Sequence, residues 1–263
     1  HLSRMANVPV RNAATWAGNI MLKHQFPDFP SDVFTMLVAM KVGIRFGFQW
    51  DEISIDDFLS YDVTGKVITY FVHRYLDPDE VIKLYKVMPR AQNAHAYVNA
   101  GFRMRLDPTN NFTVREKPVI VYGGISNNFV RATQTETFLL GKQLGDPNVL
   151  KGALNTLQLE VVPDNNPVLA SPAYRKQLTL ILFYKFVLQV IGDKAGARFQ
   201  SAIDCLPISR PLSSGQQTYD TQIIEYPLTE PLKKLEADIQ VTGEAVYIDD
   251  MPAYPNQLYA AFF

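Results

Sequence analysis

The stretch "VIKLYKVMPRAQNAHAYVNAGFRMRLDPTNNFTVREKPVIVYG", Val81 to Gly123, decides how the rest of the chain is read. It holds three strand candidates, at residues 81–88, 96–107 and 112–123, which make this part an antiparallel sheet. Upstream, the apolar residues of "SDVFTMLVAM" predict a helix capped by Ser31 or Asp32, followed by a strand at "VGIRFGF". "DEISIDDFL" reads as an exposed acidic turn segment, and "KVITYFVHRYL" as a β-branched and aromatic strand. Downstream, helices are expected at about 132–141, 147–160 and 172–191. In the second of these, Leu150, Leu154 and Leu157 recur on one face, the pattern of core packing. The expected class is α+β.

Composition narrows the function. At 263 residues the chain is long enough for a sizeable core, and roughly two domains follow from the usual domain size. An apolar fraction of 47% with 19% charged residues argues against wholesale disorder. The net charge of -1 gives no electrostatic case for a nucleic-acid or anionic-membrane partner, because both need clustered Lys and Arg. Cys205 is the single cysteine, so there is no disulfide framework and a reducing, cytoplasmic setting is expected. One cysteine also cannot hold an iron-sulfur cluster, which needs about four thiolates. His1, His24, His73 and His95 show no metal-ligand spacing, so no metal site is read. "LTLILFYKFVLQVI", Leu178 to Ile191, is shorter than the roughly 20 residues of a membrane span and carries Lys185 and Gln189. It reads as a buried helix.

"RNAATWAGNI", Arg11 to Ile20, has two readings. Its Gly-Asn pair is an ordinary turn signal before a strand. The same pair can cradle a polar ligand, since glycine lets backbone approach closely and asparagine adds an acceptor and two donors. From Gly192 to Pro227 the text turns polar and Ser- and Gly-rich, as in "ISRPLSSGQQTYDTQ", and reads as a linker. "LKKLEADIQVTGEAVYIDD" then resumes apolar-polar alternation, so a new domain is expected near Leu228. With His1 in place of an initiator methionine and an apolar "QLYAAFF" at the other end, the chain reads as a piece of a longer one.

Four stretches combine into a resemblance. "RNAATWAGNI", "YKVMPRAQNAHAYVNAGFR" (Tyr85 to Arg103) and "VYGGISNN" (Val121 to Asn128) resemble the flavin-binding part of the molybdenum hydroxylases, the aldehyde oxidase and xanthine dehydrogenase family. "LEADIQVTGEAVYIDDMP" is similar to the opening of their molybdopterin domain. The resemblance covers essentially the whole chain. It implies the C-terminal part of a PCMH-type FAD-binding domain at 1–78 and a flavoprotein C-terminal α+β domain, a small antiparallel sheet with packed helices, at 79–191. A linker at 192–227 and the truncated start of the molybdopterin-binding hammerhead domain at 228–263 complete the expected order.

The resemblance also assigns residues. The segment Ala14 to Met21 is implied to run along FAD, with the hydroxyl of Thr15 and the backbone around Gly18 and Asn19 near its phosphates and ribityl chain. A pyrophosphate needs backbone N–H groups at close range, and a side chain at Gly18 holds them away. Asp32 matches a family aspartate near the cofactor, Ile68 an apolar contact, and Lys86 a lysine at the flavin ring. Such a cation stabilises negative charge on reduced flavin; without the resemblance, Lys86 reads as a solvated lysine on a strand. Arg90 and Asn93 fall on the loop around the outer flavin edge. The glycines of Tyr122-Gly123-Gly124 read as structural, letting a strand bend.

The implied function is the electron-exit segment of an aldehyde oxidase. In such an enzyme aldehydes become carboxylic acids at molybdenum, electrons cross 2Fe-2S clusters, and FAD passes them to oxygen. The molybdopterin and the clusters belong to the parent enzyme outside this segment, which alone is not expected to be active. "PRAQNAHA" is neutral where xanthine dehydrogenases carry an acidic pair, which points to oxygen as acceptor. Two alternatives stay open: a xanthine dehydrogenase-type enzyme using NAD, and a non-catalytic binding domain that keeps the fold. A homodimer without nucleic-acid or membrane partners is implied.

Overall fold

The computed structural model describes residues 1–48, 52–203, 216, 218–258 and 260. It divides into two compact units, His1–Leu206 and Pro207–Phe263. The first has an α+β architecture. Its elements run α1 (Val8–Ala13), α2 (Trp16–Gln25), α3 (Asp32–Ala39), β1 (Gly43–Phe46), β2 (Glu52–Ser54), β3 (Ile68–Val72), β4 (Glu80–Val87) and β5 (Val98–Asp107). They continue with β6 (Thr113–Val114), β7 (Val119–Gly123), β8 (Val130–Arg131), α4 (Thr133–Leu139), α5 (Pro147–Glu160), α6 (Pro172–Ile191) and α7 (Gln200–Ile203).

Strands β4, β5, β7 and β8 form an antiparallel sheet in that order, with β6 paired to the end of β5. The expected strand at 112–123 is therefore two short ones. Pro118 has no N–H to offer a ladder, and the register along β5 shifts across residues 115–118: Val114 pairs with Leu106, whereas Val119 pairs with Arg103.

Alternation along these strands separates two cores. Ala100, Phe102, Ile120 and Tyr122 face α5 and α6, in a cluster with Leu157, Phe183 and Phe186. Leu150 and Leu154 join Leu157 on that side. Val119 and Val121 face the other way, toward α3. Ser31 is the cap of α3, its Oγ accepting from the Phe34 N–H at 2.9 Å. Seven of the eight α3 residues are buried, because Ile44 and Phe46 of a second sheet pack on it as well. Gly123 at the end of β7 permits the approach of α3: a Cβ there would stand 2.8 Å from Thr35 Oγ1.

The second sheet has the order β2-β1-β3. "DEISIDDFL" is thus not simply an exposed acidic turn. Glu52, Ile53 and Ser54 pair with Arg45, Ile44 and Gly43, and Ile55 and Phe58 are fully buried; the acids alternate with apolar residues that the core takes. The strand at "KVITYFVHRYL" is confined to β3. "RNAATWAGNI" does not lead into a strand either. Thr15 caps α2 by accepting from the Gly18 N–H at 3.0 Å, and Gly18 and Asn19 lie within the helix.

Arg175 of α6 is fully buried and donates to the carbonyls of Ala170, Gly124, Ile125 and Asp164 and to the Asp164 carboxylate, fixing the chain that leaves β7. After α6, short helical turns reach back to it, with Lys185 Nζ donating to the Ala202 carbonyl at 2.7 Å. The second unit, described by itself, contains α8 (Ala237–Thr242) and two single 3-10 turns, with no strand among its described residues. Cys205 and most of "ISRPLSSGQQTYDTQ" lie outside the described residues.

Candidate functional site

Register places the site. Lys86 of β4 stands opposite Asn99 of β5, which stands opposite Gly123 of β7. These three share the sheet face that carries α3, and the row ends at the N-terminal turn of that helix. There Lys86 Nζ donates to Asp32 Oδ2 at 2.6 Å and to the Arg4 carbonyl at 3.1 Å. The Lys86 side chain is 1% exposed and that of Asp32 13%. Lys86 is therefore no solvated strand lysine; its charge is buried and paired.

The pair forms one wall of a cavity of about 330 Å³, which Asn19, Phe29, Asn93 and His95 also line. Asp32 Oδ1 is buried there with no hydrogen-bond partner among the described residues. Asn19 is held by Ser31, whose hydroxyl donates to its Oδ1 at 2.5 Å. Asn93 adopts a left-handed φ of 51° and donates its backbone N–H to the Ala6 carbonyl, which brings the loop after β4 over the N-terminal residues. A second cavity of about 280 Å³ adjoins the first and shares Met5, Ala6, Val10 and Asn19 with it. Ala14, Thr15 and Trp16 line its other end.

Of the residues singled out in the sequence, Asn19, Asp32, Lys86 and Asn93 converge on the first cavity, and Ala14, Thr15 and Asn19 on the second. Gly18, Met21, Ile68 and Arg90 line neither. The Gly18 N–H is already engaged by the Thr15 hydroxyl. Met21 and Ile68 pack against the cluster around α3. Arg90 donates to the carbonyls of Gln92 and Asn93, shaping the loop from its outer side.

Several cavity residues were not singled out. His95 sits in the acid-free loop already noted and meets Phe29 edge-on at 5.6 Å; an aromatic heteroatom in a Gln-Asn-Ala-His run was the available signal. Met5, Ala6 and Pro30 carried none. Lys23 at the end of α2 is a further buried ammonium, donating to the carbonyls of Pro27 and Asn127. Burial lowers its pKa to about 8 against the opposing pull of Asp28. Among the described residues no three His, Cys, Asp or Glu side chains group as metal ligands, and no helix is long and apolar enough to cross a membrane.

Residues 83–190 match the CO dehydrogenase flavoprotein C-terminal domain family. The whole chain is 29% identical to an indole-3-acetaldehyde oxidase of Arabidopsis thaliana, of which it covers 21%. Over 99% of its length it is 32% identical to xanthine dehydrogenase 1 of the same plant, of which it covers 20%. Among solved structures, the carbon monoxide dehydrogenase of Hydrogenophaga pseudoflava superposes with a TM-score of 0.57 at 16% identity, over 68% of this chain and 61% of that one. By their names these relatives are oxidoreductases. The chain is similar to the two plant enzymes over essentially its whole length, and it spans about a fifth of theirs.

Proposed function

We propose that this chain is the flavin-binding, electron-exit segment of an aldehyde oxidase, and that FAD lies along the two adjoining cavities. The observation that carries this reading is the buried Lys86–Asp32 pair with its unpartnered Asp32 Oδ1 at a cavity wall. A buried acceptor left unsatisfied is destabilising by about 1–3 kcal/mol, and an N–H on the polar edge of a flavin ring relieves it. Two of the three Lys86 N–H bonds are used by Asp32 and Arg4, which leaves one for a ligand acceptor. Asn93 and His95 offer further polar atoms on the same wall, and Thr15 and Asn19 border the extension toward α2.

When bound, FAD takes up an electron pair and hands it to an acceptor. The protein's part is to hold the ring against a fixed ammonium, whose field Asp32 partly balances, and to keep water from that edge. The loop "PRAQNAHA", which carries no acidic residue, supports oxygen rather than NAD as acceptor. In this reading residues 1–78 complete the FAD-binding domain, 79–191 form the flavoprotein C-terminal domain, 192–227 link onward, and 228–263 begin the molybdopterin domain. The parent enzyme is a cytoplasmic homodimer that also carries molybdopterin and 2Fe-2S clusters.

The test is the absorption spectrum of the purified full-length protein, followed by aldehyde turnover with each acceptor. A flavin spectrum with peroxide formed and no NADH is the expected result. NADH formation overturns the choice of acceptor, and a protein without flavin leaves only a binding module.

A further inference from the structure

A cavity of about 410 Å³ lies on the opposite face of the five-stranded sheet from Lys86, between α5, α6 and the turns that follow α6. Leu150 and Leu154 of α5, Tyr184, Leu188 and Ile191 of α6, and Phe199 make its wall largely apolar. Its size falls in the range of small-molecule sites, roughly 300–1,000 Å³. Nothing in the flavin reading uses it.

Charge decides what class of ligand suits it. Lys151 and Lys194 also line the cavity. Both are exposed, and neither has an ion-pair partner among the described residues. Lys194 Nζ rests 4.8 Å over the Phe112 ring, a contact that leaves its N–H bonds available to an anion. Asp146, the one acidic residue in the lining, caps α5 by accepting from the Asn148 N–H at 2.8 Å and keeps its charge, so the two lysines leave the lining positive on balance. An apolar chamber edged by two unpaired ammonium groups disfavours a polyanion, which needs more donors, and gives a neutral apolar molecule no use for the lysines. We propose that this cavity binds a monocarboxylate with an apolar body, its tail among Leu150, Leu154 and Leu188 and its carboxylate at Lys151 and Lys194. An aliphatic and an aromatic acid share this chemistry.

The test is titration calorimetry of the full-length protein with octanoate, phenylacetate and neutral octan-1-ol. At least one acid is expected to bind saturably, and octan-1-ol much more weakly. Lys151→Gln/Lys194→Gln is expected to weaken the acid roughly tenfold to a hundredfold, the range for losing charged hydrogen bonds. Leu154→Trp, which fills the chamber, should abolish this binding; the lysine changes are on the surface and keep the test valid if that variant fails to fold. Binding of octanoate alone assigns an aliphatic acid, and tighter phenylacetate an aromatic one. Only the component sensitive to these variants is counted, so an acid held elsewhere in the parent protein does not contribute. Absence of such a component, or equal affinity for octan-1-ol and octanoate, overturns the proposal. Flavin content measured on the same samples reports on the Lys86 cavity separately.

Discussion

Lys86 and Asp32 lie 54 residues apart in the chain and 2.6 Å apart in the fold, joined where the C-terminal end of β4 meets the first turn of α3. The contact links the sheet to the helix packed on it, and it places an ammonium and a carboxylate on one cavity wall. Its two members depend on each other. A buried charge without its partner is far less stable than the intact pair or a neutral replacement of both.

Lys86→Met is therefore expected to destabilise the full-length protein by about 3–5 kcal/mol, the range for stripping one partner from a buried pair. Lys86→Met/Asp32→Asn should lie closer to the wild type than the sum of the two single changes, because the double change leaves no orphaned charge. Chemical denaturation of the four forms measures this, and simple additivity contradicts it.

The same lysine bears on the proposed flavin site. Lys86→Met should lower the flavin potential by an amount on the order of 1–3 kcal/mol, since negative charge on the reduced ring loses a cation and faces Asp32 alone. A spectroelectrochemical titration decides it: an unchanged potential removes Lys86 from the flavin's surroundings.

Strand pairing explains how much of this was legible. Val81–Gly123 shows its strands because β-branched and aromatic residues recur between breaker-rich loops, and α5 and α6 show theirs by helical spacing. The β2 pairing was hidden by its acids, which mask the Ile53, Ile55 and Phe58 pattern. Helix α2 was hidden by Gly-Asn, a turn signal in isolation that the Thr15 cap overrides. Asp32 and Lys86 could each be singled out through resemblance, yet their contact depends on which face of β4 meets α3. That is a matter of register, which no local pattern encodes.

The cap on α2 carries its own test. Thr15→Ala should destabilise by about 1 kcal/mol through loss of the bond to the Gly18 N–H. Gly18→Ala should change stability by roughly 1 kcal/mol or less, a helix-propensity gain set against a Cβ contact; that Cβ would stand 3.1 Å from Thr15 Oγ1. Gly18→Val, bulkier at the same point, should displace the Thr15 hydroxyl and reduce flavin content while the other cofactors of the full-length protein remain. A normal FAD complement in Gly18→Val separates "RNAATWAGNI" from the flavin.

Acid stability rests partly on Glu80. Burial pushes its carboxyl upward, but hydrogen bonds from Arg103 and the Asp77 N–H, together with the charges of Arg103 and Lys41, outweigh this and hold it below its ordinary value of 4.5. A group whose pKa is lower in the folded state contributes stability above about pH 4.5 that is lost as pH falls through the folded value. Arg103→Met should thus flatten the fall in urea stability on the acid side of pH 4.5. Superimposable acid limbs for the two forms contradict this role.

The most direct measurement is the FAD-to-protein ratio of full-length Ala94→Trp. Ala94 lines the cavity beside Asp32 and Lys86 on a loop outside the core, so an indole there occupies the space assigned to the ring without disturbing the sheet. Ala91→Trp, at an exposed position of the same loop that does not line the cavity, is the control. The expected result is loss of FAD in Ala94→Trp with molybdenum and iron retained, and a full FAD complement in Ala91→Trp. A full FAD complement in Ala94→Trp contradicts the assignment of the Lys86–Asp32 cavity to the flavin.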